Sequence, residues 1–239
     1  MTAGLLVPVF ASQVPLNFAG NIIALVYLLA LGTFFLILAG LDAGSSFGGM
    51  GSSRESIVAS LTEPAMIMAI FAIALTAGST NLSTIVHKTA LLEGIVTDPS
   101  SHVMALVALF IVALAETGRV PVDNPATHLE LTMIHEAMTL EYSGRYLALV
   151  EWASGIKLLV FLTLIANVFV PWGIATSVTP AALSIGAAVY VVKVAGLAVL
   201  IGTIECMFAK LRLFRVTDLL GVAFILALLG LLFFYILRD

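Results

Sequence analysis

Six long apolar segments dominate the sequence and restrict the folds that it can adopt. A helix that crosses a bilayer needs about 20 mostly apolar residues, because each residue advances the chain by about 1.5 Å. Lipid leaves exposed backbone groups unsatisfied, so a chain crosses it as helices or as a closed barrel. We therefore predict an all-α, polytopic integral membrane protein, with about six transmembrane helices in a single membrane domain over residues 1–239. The segments lie at approximately 20–40, 57–77, 102–116, 147–171, 181–207 and 217–237, and we expect the third to begin a few residues earlier, near Ser100.

The composition supports this class of protein and argues against others. Hydrophobic residues make up 61% and charged residues 10% of the chain, against roughly 45–50% and about 25% in soluble domains. A net charge of -4 with scattered Lys and Arg does not favour a nucleic-acid partner. Cys206 is the single cysteine, so the chain has no disulfide pair and no Cys/His spacing typical of a metal or iron–sulfur site. We expect this chain itself to bind no metal and no cofactor.

Lys and Arg are distributed unevenly over the connections between the apolar segments. The connections at 41–56, 117–146 and 208–216 carry six of them, whereas those at 78–101 and 172–180 carry only Lys88. The positive-inside rule places the first set in the cytoplasm, so both termini are predicted to face the outside. The six basic residues are Arg54, Arg119, Arg145, Lys210, Arg212 and Arg215.

Residues 1–19 form the outside-facing N-terminal segment of this topology. The first 53 residues contain no Lys or Arg, so the basic region of a signal peptide is missing and we expect the segment to be retained. Residues 4–16 are too short and too rich in proline to span a bilayer alone, and they resemble the exit of a longer helix.

The connection at 41–56 is rich in Gly and Ser and also holds Asp42, Arg54 and Glu55. Glycine makes a backbone permissive, so we predict irregular structure here. Glycine runs bind phosphate when they join a strand to a helix, but the sequence offers neither a strand nor a GK(S/T) motif at this point. A close-packed loop is therefore the expected structure.

The connection at 117–146 is the most polar part of the chain. Glu116 and Arg119 are three residues apart at the end of a span, so they can pair on one helix face at the headgroup level. Pro121 is predicted to stop that helix. Asn124 followed by Pro125 is an N-cap and first-turn signal, which predicts a second helix from residue 126 to residue 140.

This second helix is predicted to be amphipathic, with one side for the membrane bundle and the other for a partner or a cavity. Glu130 and Glu141 fall on one flank about 16 Å apart, and carboxylates beside apolar surface have raised pKa values when they are desolvated. His128 and His135 are about 10 Å apart along the axis, too far for one metal ion, so a partner-facing or proton-relay role is favoured. The apolar stripe is Leu129, Met133, Ala137 and Leu140, and the polar face is His128, Thr132, His135 and Thr139.

Five of the charged residues within the predicted spans are unusual there, because charge at mid-bilayer costs at least about 2.5–3.5 kcal/mol on insertion scales. Lys157 and Lys193 are deep in their spans, so we predict a buried partner or an aqueous pathway for each. Glu151 and Glu205 lie near span ends, where a side chain that reaches the interface is the alternative. The fifth is Glu63.

The stretch from 116 to 144 resembles a known family. Its order of residues closely resembles the cytoplasmic signature of the complex I H-subunit family, which is subunit 1 of respiratory NADH dehydrogenase. In detail it is most similar to the membrane subunit of energy-converting, group 4 nickel–iron (NiFe) hydrogenases and formate hydrogenlyases. The residues that carry the resemblance are Glu116, Arg119, Pro121, Asp123, Glu130 and the run Glu141-Tyr142-Ser143-Gly144.

The resemblance implies a membrane-anchoring and ion-coupling subunit of a complex I-like respiratory hydrogenase in the cell inner (plasma) membrane. Such a subunit docks peripheral iron–sulfur and NiFe-hydrogenase-like subunits, contacts antiporter-like membrane subunits and links electron transfer to proton or sodium movement. The iron–sulfur clusters and the Ni–Fe centre are expected in those partners. The residues implied for coupling are Glu63, Glu116, Arg119, Asp123, Glu130, Glu141, Glu151, Lys157, Lys193 and Glu205, and those for partner docking are Asp42, Arg54, His128, His135 and Glu136.

Three departures from the quinone-reducing members favour the hydrogenase branch over a standard quinone site. The family's first membrane helix and the basic RRGP-type loop after it have no counterpart here, Ala126 and His128 stand where glutamates are common, and the segment from Glu130 to Glu141 is longer. Two alternatives stay open. One is a subunit of an NADH or ferredoxin:quinone oxidoreductase, and the other is a stand-alone ion or solute transporter, which inverted repeats of the 116–144 pattern would support but the sequence does not contain.

Overall fold

The computed structural model describes residues 2–9, 21–90, 99–124, 133–175 and 179–236. Six of the helices are long and apolar enough to cross a membrane, at the positions that the sequence predicts. The predicted fold class is therefore confirmed, and the chain is an all-α polytopic membrane protein. The helices are α1 (Thr2–Leu6), α2 (Ile22–Asp42), α3 (Ser46–Ala77), α4 (Leu82–Ala90), α5 (Pro99–Glu116), α6 (His135–Thr139), α7 (Gly144–Leu164), α8 (Pro180–Met207) and α9 (Leu213–Ile236), and a π-helical turn at Ile165–Phe169 extends α7.

Helix α3 lies at the centre of the bundle. It packs against α2, α5 and α9, and Ala65, Met66 and Ala69 on α3 are almost completely buried. Helix α8 lies at the periphery, where only Gly186 and Ile201 are buried. The core therefore surrounds α3, and α8 presents nearly all of its apolar surface outward.

Three connections meet at one end of the bundle, which we call the basic end: 43–45, 117–143 in its described parts, and 208–212. The Tyr142 hydroxyl donates to the Ala39 carbonyl at 2.9 Å, which joins the second connection to α2. The Leu211 N–H donates to the Pro121 carbonyl at 2.8 Å, which joins the second connection to the third. These connections hold Arg119, Lys210 and Arg212, and Arg145 and Arg215 follow in the first turns of α7 and α9.

Helix α3 shows that the irregular structure predicted for 41–56 is wrong, because the helix already begins at Ser46. The Ser45 hydroxyl accepts a hydrogen bond from the Gly48 N–H at 3.0 Å and caps the helix. The glycines serve close packing rather than flexibility. A Cβ at Gly48 would collide with the Gly40 backbone oxygen of α2, and one at Gly51 would lie 2.8 Å from a backbone oxygen just before α6.

Helix α5 ends at Glu116, before the stop predicted at Pro121. Gly118 has a left-handed backbone conformation with φ of 60°, which favours glycine and closes helices. The Arg119 N–H donates back to the Leu114 carbonyl at 2.9 Å and completes this turn. The turn carries Arg119 away from the face of α5 that holds Glu116, so the predicted pair between these two residues is wrong.

The helix predicted over 126–140 is only partly confirmed. Residues 125–132 lie outside the described part of the chain, and α6 begins at His135, after two non-helical residues. The prediction of one continuous helix is therefore wrong at 133–134. The Asp123 carboxylate accepts the N–H groups of residues 134 and 135, which have no partner within a helix that starts here.

The faces predicted for this helix are also only partly correct. Met133 and Ala137 are buried, as the apolar stripe requires, but Leu140 is 48% exposed and Thr139, from the predicted polar face, is buried. Helix α6 is a single short element packed against α2 and α3, so these contacts rather than the period of a long helix determine burial. His128, Leu129, Glu130 and Thr132 lie outside the described residues.

Candidate functional site

A buried ion pair joins α5 to α7. The Lys157 ammonium lies 2.7 Å from Glu116 Oε2, and the Glu116 side chain is only 4% exposed. The Thr62 hydroxyl donates to Glu116 Oε1, and the Lys157 ammonium also donates to Thr33 Oγ1 at 2.9 Å. We call this group of Thr33, Thr62, Glu116 and Lys157 the four-helix centre, because its members come from α2, α3, α5 and α7.

The four-helix centre meets the physical requirement for a buried pair of charges. Taking each ion out of water costs several kcal/mol, and this cost is offset only when the geometry is good and the remaining polar atoms are bonded. Two threonine hydroxyls supply those additional bonds. Glu116 is thus a buried partner of Lys157, which is one of the two alternatives that the sequence predicts for this lysine. A change in the charge of Glu116 or Lys157 leaves the other charge uncompensated. The protonation of this pair is therefore sensitive to a charge that appears nearby.

Asp123 organises the basic end and forms a second centre with Lys210, which we call the loop centre. The Lys210 ammonium lies 2.7 Å from Asp123 Oδ1, and the Asp123 side chain is 3% exposed. Oδ1 also accepts the Asn124 N–H at 2.9 Å, and Oδ2 accepts the N–H groups of Ile134 at 3.1 Å and His135 at 3.0 Å. One carboxylate thus fixes the α5–α6 connection, the start of α6 and the α8–α9 connection. The sequence did not identify Lys210 as the partner of Asp123.

Two arginines make weaker contacts at the rim of the basic end. Arg119 Nη1 lies 3.3 Å from Glu205 Oε1, and the two side chains are 36% and 27% exposed. Arg54 Nη1 donates to the Met133 carbonyl at 3.0 Å. Exposed ion pairs contribute about 0–1 kcal/mol, so the first contact positions the connections more than it stabilises them.

Glu55 on α3 is a buried acidic residue that the sequence analysis did not assign to a site. It is 5% exposed and lies on α3, two turns before Thr62 of the four-helix centre. Its carboxyl group makes no hydrogen bond or ion pair within the described part of the chain. The sequence does contain an indication of this position, because seven residues separate Glu55 from Thr62 and place both on one face of a helix. The irregular structure expected at 41–56 prevents that inference from the sequence.

A groove of about 410 Å³ opens between α2 and α7. Most of its wall is apolar, but Thr33, His135 and Lys157 also line it. His135 is half-buried, and burial, followed by the positive charge of Lys157, lowers the pKa of its imidazole from the ordinary value of 6.5. The imidazole beside the four-helix centre is therefore mostly neutral near neutral pH.

The structure does not gather the remaining predicted residues in one place. Lys193 is half-buried and donates to the Val170 carbonyl, so its partner is a backbone group rather than a carboxylate. Glu63 is half-buried on α3 and follows Thr62 of the four-helix centre directly in the chain. The roles predicted for these residues stay predictions. Asp42, Glu141 and Glu151 are exposed, Glu136 is half-buried, and His128 and Glu130 lie outside the described residues.

Glu116 and Asp123 are each paired with a lysine rather than gathered around a common point. Among the residues that the structure describes, no group of three or more His, Cys, Asp or Glu side chains is placed to hold a metal ion. The arrangement suits the exchange of charge between buried groups. The chain is a polytopic membrane protein with two buried acid–lysine pairs, one between membrane helices and one at the basic end.

Comparison with known proteins assigns this membrane protein to a family. The NADH dehydrogenase family matches residues 1–236 of the chain. The chain therefore belongs to the NADH dehydrogenase family, and the family predicted from the sequence is confirmed.

Three relatives place the chain within that family. It is similar to hydrogenase-4 component C of Escherichia coli K12, with 35% identity over 226 residues, which are 95% of this chain and 70% of that protein. Formate hydrogenlyase subunit 4 of the same organism is 33% identical over 216 residues, which are 89% of this chain and 68% of the relative. NADH-quinone oxidoreductase subunit 8 of Rhodothermus marinus is 29% identical over 174 residues, which are 71% and 49% of the two chains. These names are those of subunits, and the chain is a complex I-like membrane subunit.

Proposed function

We propose that this chain is the membrane-anchoring and ion-coupling subunit of a complex I-like respiratory hydrogenase. It docks a peripheral NiFe and iron–sulfur module on its basic end and converts electron transfer in that module into proton or sodium movement. The observation that carries the proposal is the buried Glu116–Lys157 pair, which links four membrane helices. No cofactor is assigned to this chain itself.

The identity of the relatives supports the hydrogenase branch. The chain is 35% and 33% identical to subunits named for a hydrogenase and a formate hydrogenlyase, over at least 89% of its length. The similarity to an NADH-quinone oxidoreductase subunit is lower, at 29% over 71% of the chain. Antiporter-like membrane subunits are the further partners that this branch implies.

The distribution of basic residues supports the orientation. The positive-inside rule puts the basic end in the cytoplasm, where a soluble electron-transfer module can reach it, and puts both termini outside the inner membrane. Asp42 is exposed and Glu136 is half-buried at this end, so both belong to the proposed docking surface.

Coupling through the four-helix centre is physically reasonable in magnitude. A unit charge that appears on a cofactor about 10 Å away acts on a buried group with about 1.7 kcal/mol at an effective dielectric constant of about 20. This energy biases a protonation equilibrium by more than about tenfold. The loop centre holds the connection that follows Glu116 directly in the chain, so this connection is the proposed route from the docking surface to the four-helix centre.

The test of coupling uses the assembled complex in sealed vesicles. Glu116→Gln and Lys157→Met each remove one charge of the four-helix centre, so electron transfer should continue while the ion gradient formed per electron falls. Asp218→Asn is the matched control, because Asp218 is an exposed carboxylate on α9. An unchanged gradient in both charge variants would leave the chain as an anchor without a coupling role.

The test of docking measures how much of the peripheral module stays on washed membranes. Replacing Asp42 and Glu136 by lysine should release the module, because two acidic side chains of the docking surface then carry the opposite charge. His87→Ala, at an exposed residue of the opposite end, is the control. Full retention of the module by the double variant would place the dock elsewhere.

A further inference from the structure

Two arginines where α8 joins α9 differ from the other basic residues near the basic end. Arg212 and Arg215 are exposed, and among the residues that the structure describes neither guanidinium group makes a hydrogen bond or an ion pair. Two positive charges therefore remain uncompensated close together in the chain. The four other basic residues near this end are bonded: Lys210 to Asp123, Arg119 to Glu205, Arg54 to the Met133 carbonyl, and Arg145 to the Tyr146 hydroxyl.

Large apolar side chains are exposed on both sides of Arg212. Phe214 is 84% exposed, Met207 is 80% exposed and Phe208 is 58% exposed. Several large apolar side chains exposed together indicate a surface that contacts lipid or another molecule. This surface combines apolar and cationic groups. We call it the α8–α9 patch, which consists of Met207, Phe208, Arg212, Phe214 and Arg215.

The backbone that carries the α8–α9 patch is held in place from the inside of the bundle. The Lys210 ammonium lies 2.7 Å from Asp123 Oδ1, which ties the connection to the loop centre. The Arg215 N–H donates to the Arg212 carbonyl at 2.8 Å and closes one turn between the two arginines. Side chains three residues apart on such a turn lie on the same side. The two guanidinium groups are thus presented together by a fixed connection, so little ordering is required when a ligand binds.

The α8–α9 patch lies where two membrane-spanning helices end. Helix α8 has 28 residues, so it is about 42 Å long, whereas the hydrocarbon core of a bilayer is about 30 Å thick. A helix of this length reaches into the headgroup region. Only Gly186 and Ile201 are buried along α8, so this helix borders lipid rather than the middle of the bundle.

We propose that the α8–α9 patch binds an anionic phospholipid through its headgroup. The proposal does not depend on the coupling and docking functions. A guanidinium group matches the geometry of phosphate oxygens and forms two parallel hydrogen bonds to them. An anionic headgroup brings no ammonium group that competes with the arginines for the phosphate. The acyl chains contact Met207, Phe208 and Phe214, because such side chains enter the boundary between headgroups and hydrocarbon.

The experiment measures the binding of phosphatidylglycerol to the assembled complex in mild detergent by native mass spectrometry. Arg212→Gln and Arg215→Gln should each lower the affinity about fivefold, which is the contribution of one basic residue near an anionic surface. The double variant should lower it about 25-fold, if the two contributions add. Arg145→Gln is the matched control, because it removes one positive charge near the same end but outside the patch, and it should leave the affinity unchanged.

Two further variants separate the parts of the site. Arg212→Lys combined with Arg215→Lys keeps both charges but loses the planar fork of the guanidinium group. Its affinity should lie between those of the wild type and the double glutamine variant, and it also serves if the glutamine variants do not assemble. Phe208→Ala combined with Phe214→Ala should weaken the binding of phosphatidylglycerol through lost contact with the acyl chains. A large excess of inorganic phosphate should not displace the lipid, because phosphate has no acyl chain.

Four results would overturn the proposal. The first is wild-type affinity in the double glutamine variant or in the double lysine variant. The second is an equal loss of affinity in Arg145→Gln, which would show unspecific attraction to the basic end. Displacement of the lipid by inorganic phosphate would instead show a general anion site. Release of the peripheral module from washed membranes by the double glutamine variant, with lipid binding intact, would assign the patch to a protein partner.

Discussion

The Lys157 ammonium bonds Glu116 at 2.7 Å, across the bundle, although Arg119 is the basic residue nearest to Glu116 in the sequence. Arg119 instead reaches Glu205 at 3.3 Å near the surface. Two features explain why Glu116 pairs with Lys157 and not with Arg119. The Gly118 turn separates the two neighbours, and the long side chain of Lys157 brings a positive charge from α7 to the buried carboxylate. The strong pair is therefore buried and the weak pair is exposed, which is the distribution that a charge-sensitive centre requires.

Two glycines at the start of α3 give a sharp test of its packing against α6. A Cβ at Gly51 would lie 2.8 Å from the Ile134 backbone oxygen and 2.9 Å from Ala137 Cβ, whereas one at Gly49 would meet nothing within 4 Å. Gly51→Ala should therefore lower the free energy of unfolding by about 1–3 kcal/mol through overpacking. Gly49→Ala should raise it by up to about 1 kcal/mol, because alanine is the better helix former. Thermal unfolding of the detergent-purified variants checks both signs, and equal effects at the two positions would contradict the close contact.

The pKa of His135 predicts how the basic end depends on pH. Burial and the Lys157 charge lower this pKa from the ordinary value of 6.5, so the folded chain binds fewer protons at His135 than the unfolded chain does. The associated stability is complete above 6.5 and is lost progressively as the pH falls below that value. The protection of the α6 amides from hydrogen exchange, corrected for the intrinsic exchange rate at each pH, should therefore fall on acidification. His135→Gln should flatten this dependence, and His87→Gln, at an exposed histidine, should leave it unchanged.

The membrane spans could be predicted from the sequence, whereas the ion pairs between distant side chains could not. Each span is indicated by a local property, the run of apolar residues that a bilayer requires. The need of Lys157 for a buried partner was also local, because an isolated charge in lipid is costly. The identity of that partner depends on how α5 and α7 meet, which no spacing within one segment encodes.

The start of α3 shows why local rules failed at the basic end. The residue preferences of Ser45, Gly48 and Gly51 predict a flexible loop. In the fold, Ser45 caps α3, and the two glycines allow close contacts with neighbouring backbone. Tertiary packing overrode the propensity of glycine. The burial of Glu55 was not predicted for the same reason. Its place on a helix face becomes evident only when α3 is known to begin at Ser46.

Chemical labelling tests the proposed orientation of the bundle. The exposed native thiol of Cys206 is first replaced by serine. Single cysteines are then placed at Glu141, which is exposed at the basic end, and at Trp172, which is 67% exposed after α7. An impermeant thiol reagent should label the Trp172→Cys protein in intact cells and the Glu141→Cys protein only in inverted vesicles. The reverse pattern would put the basic end outside and remove the proposed docking surface.

A double-variant cycle on Lys157 and Glu116 tests whether the buried pair acts as a unit. Lys157→Met or Glu116→Gln alone leaves one buried charge without its partner, so each should lower the free energy of unfolding by about 3–5 kcal/mol. The double variant removes both charges and leaves no uncompensated ion. It should therefore be more stable than either single variant, and the two single losses should sum to more than the loss in the double. The measurement is thermal unfolding of the purified proteins in mild detergent at constant pH.

Glu205→Gln combined with Arg119→Met is the matched control, because that pair is partly exposed and its coupling should not exceed about 1 kcal/mol. Strictly additive losses at Lys157 and Glu116 would mean that the two residues stabilise the bundle independently, and the four-helix centre would then not be a coupled charge site.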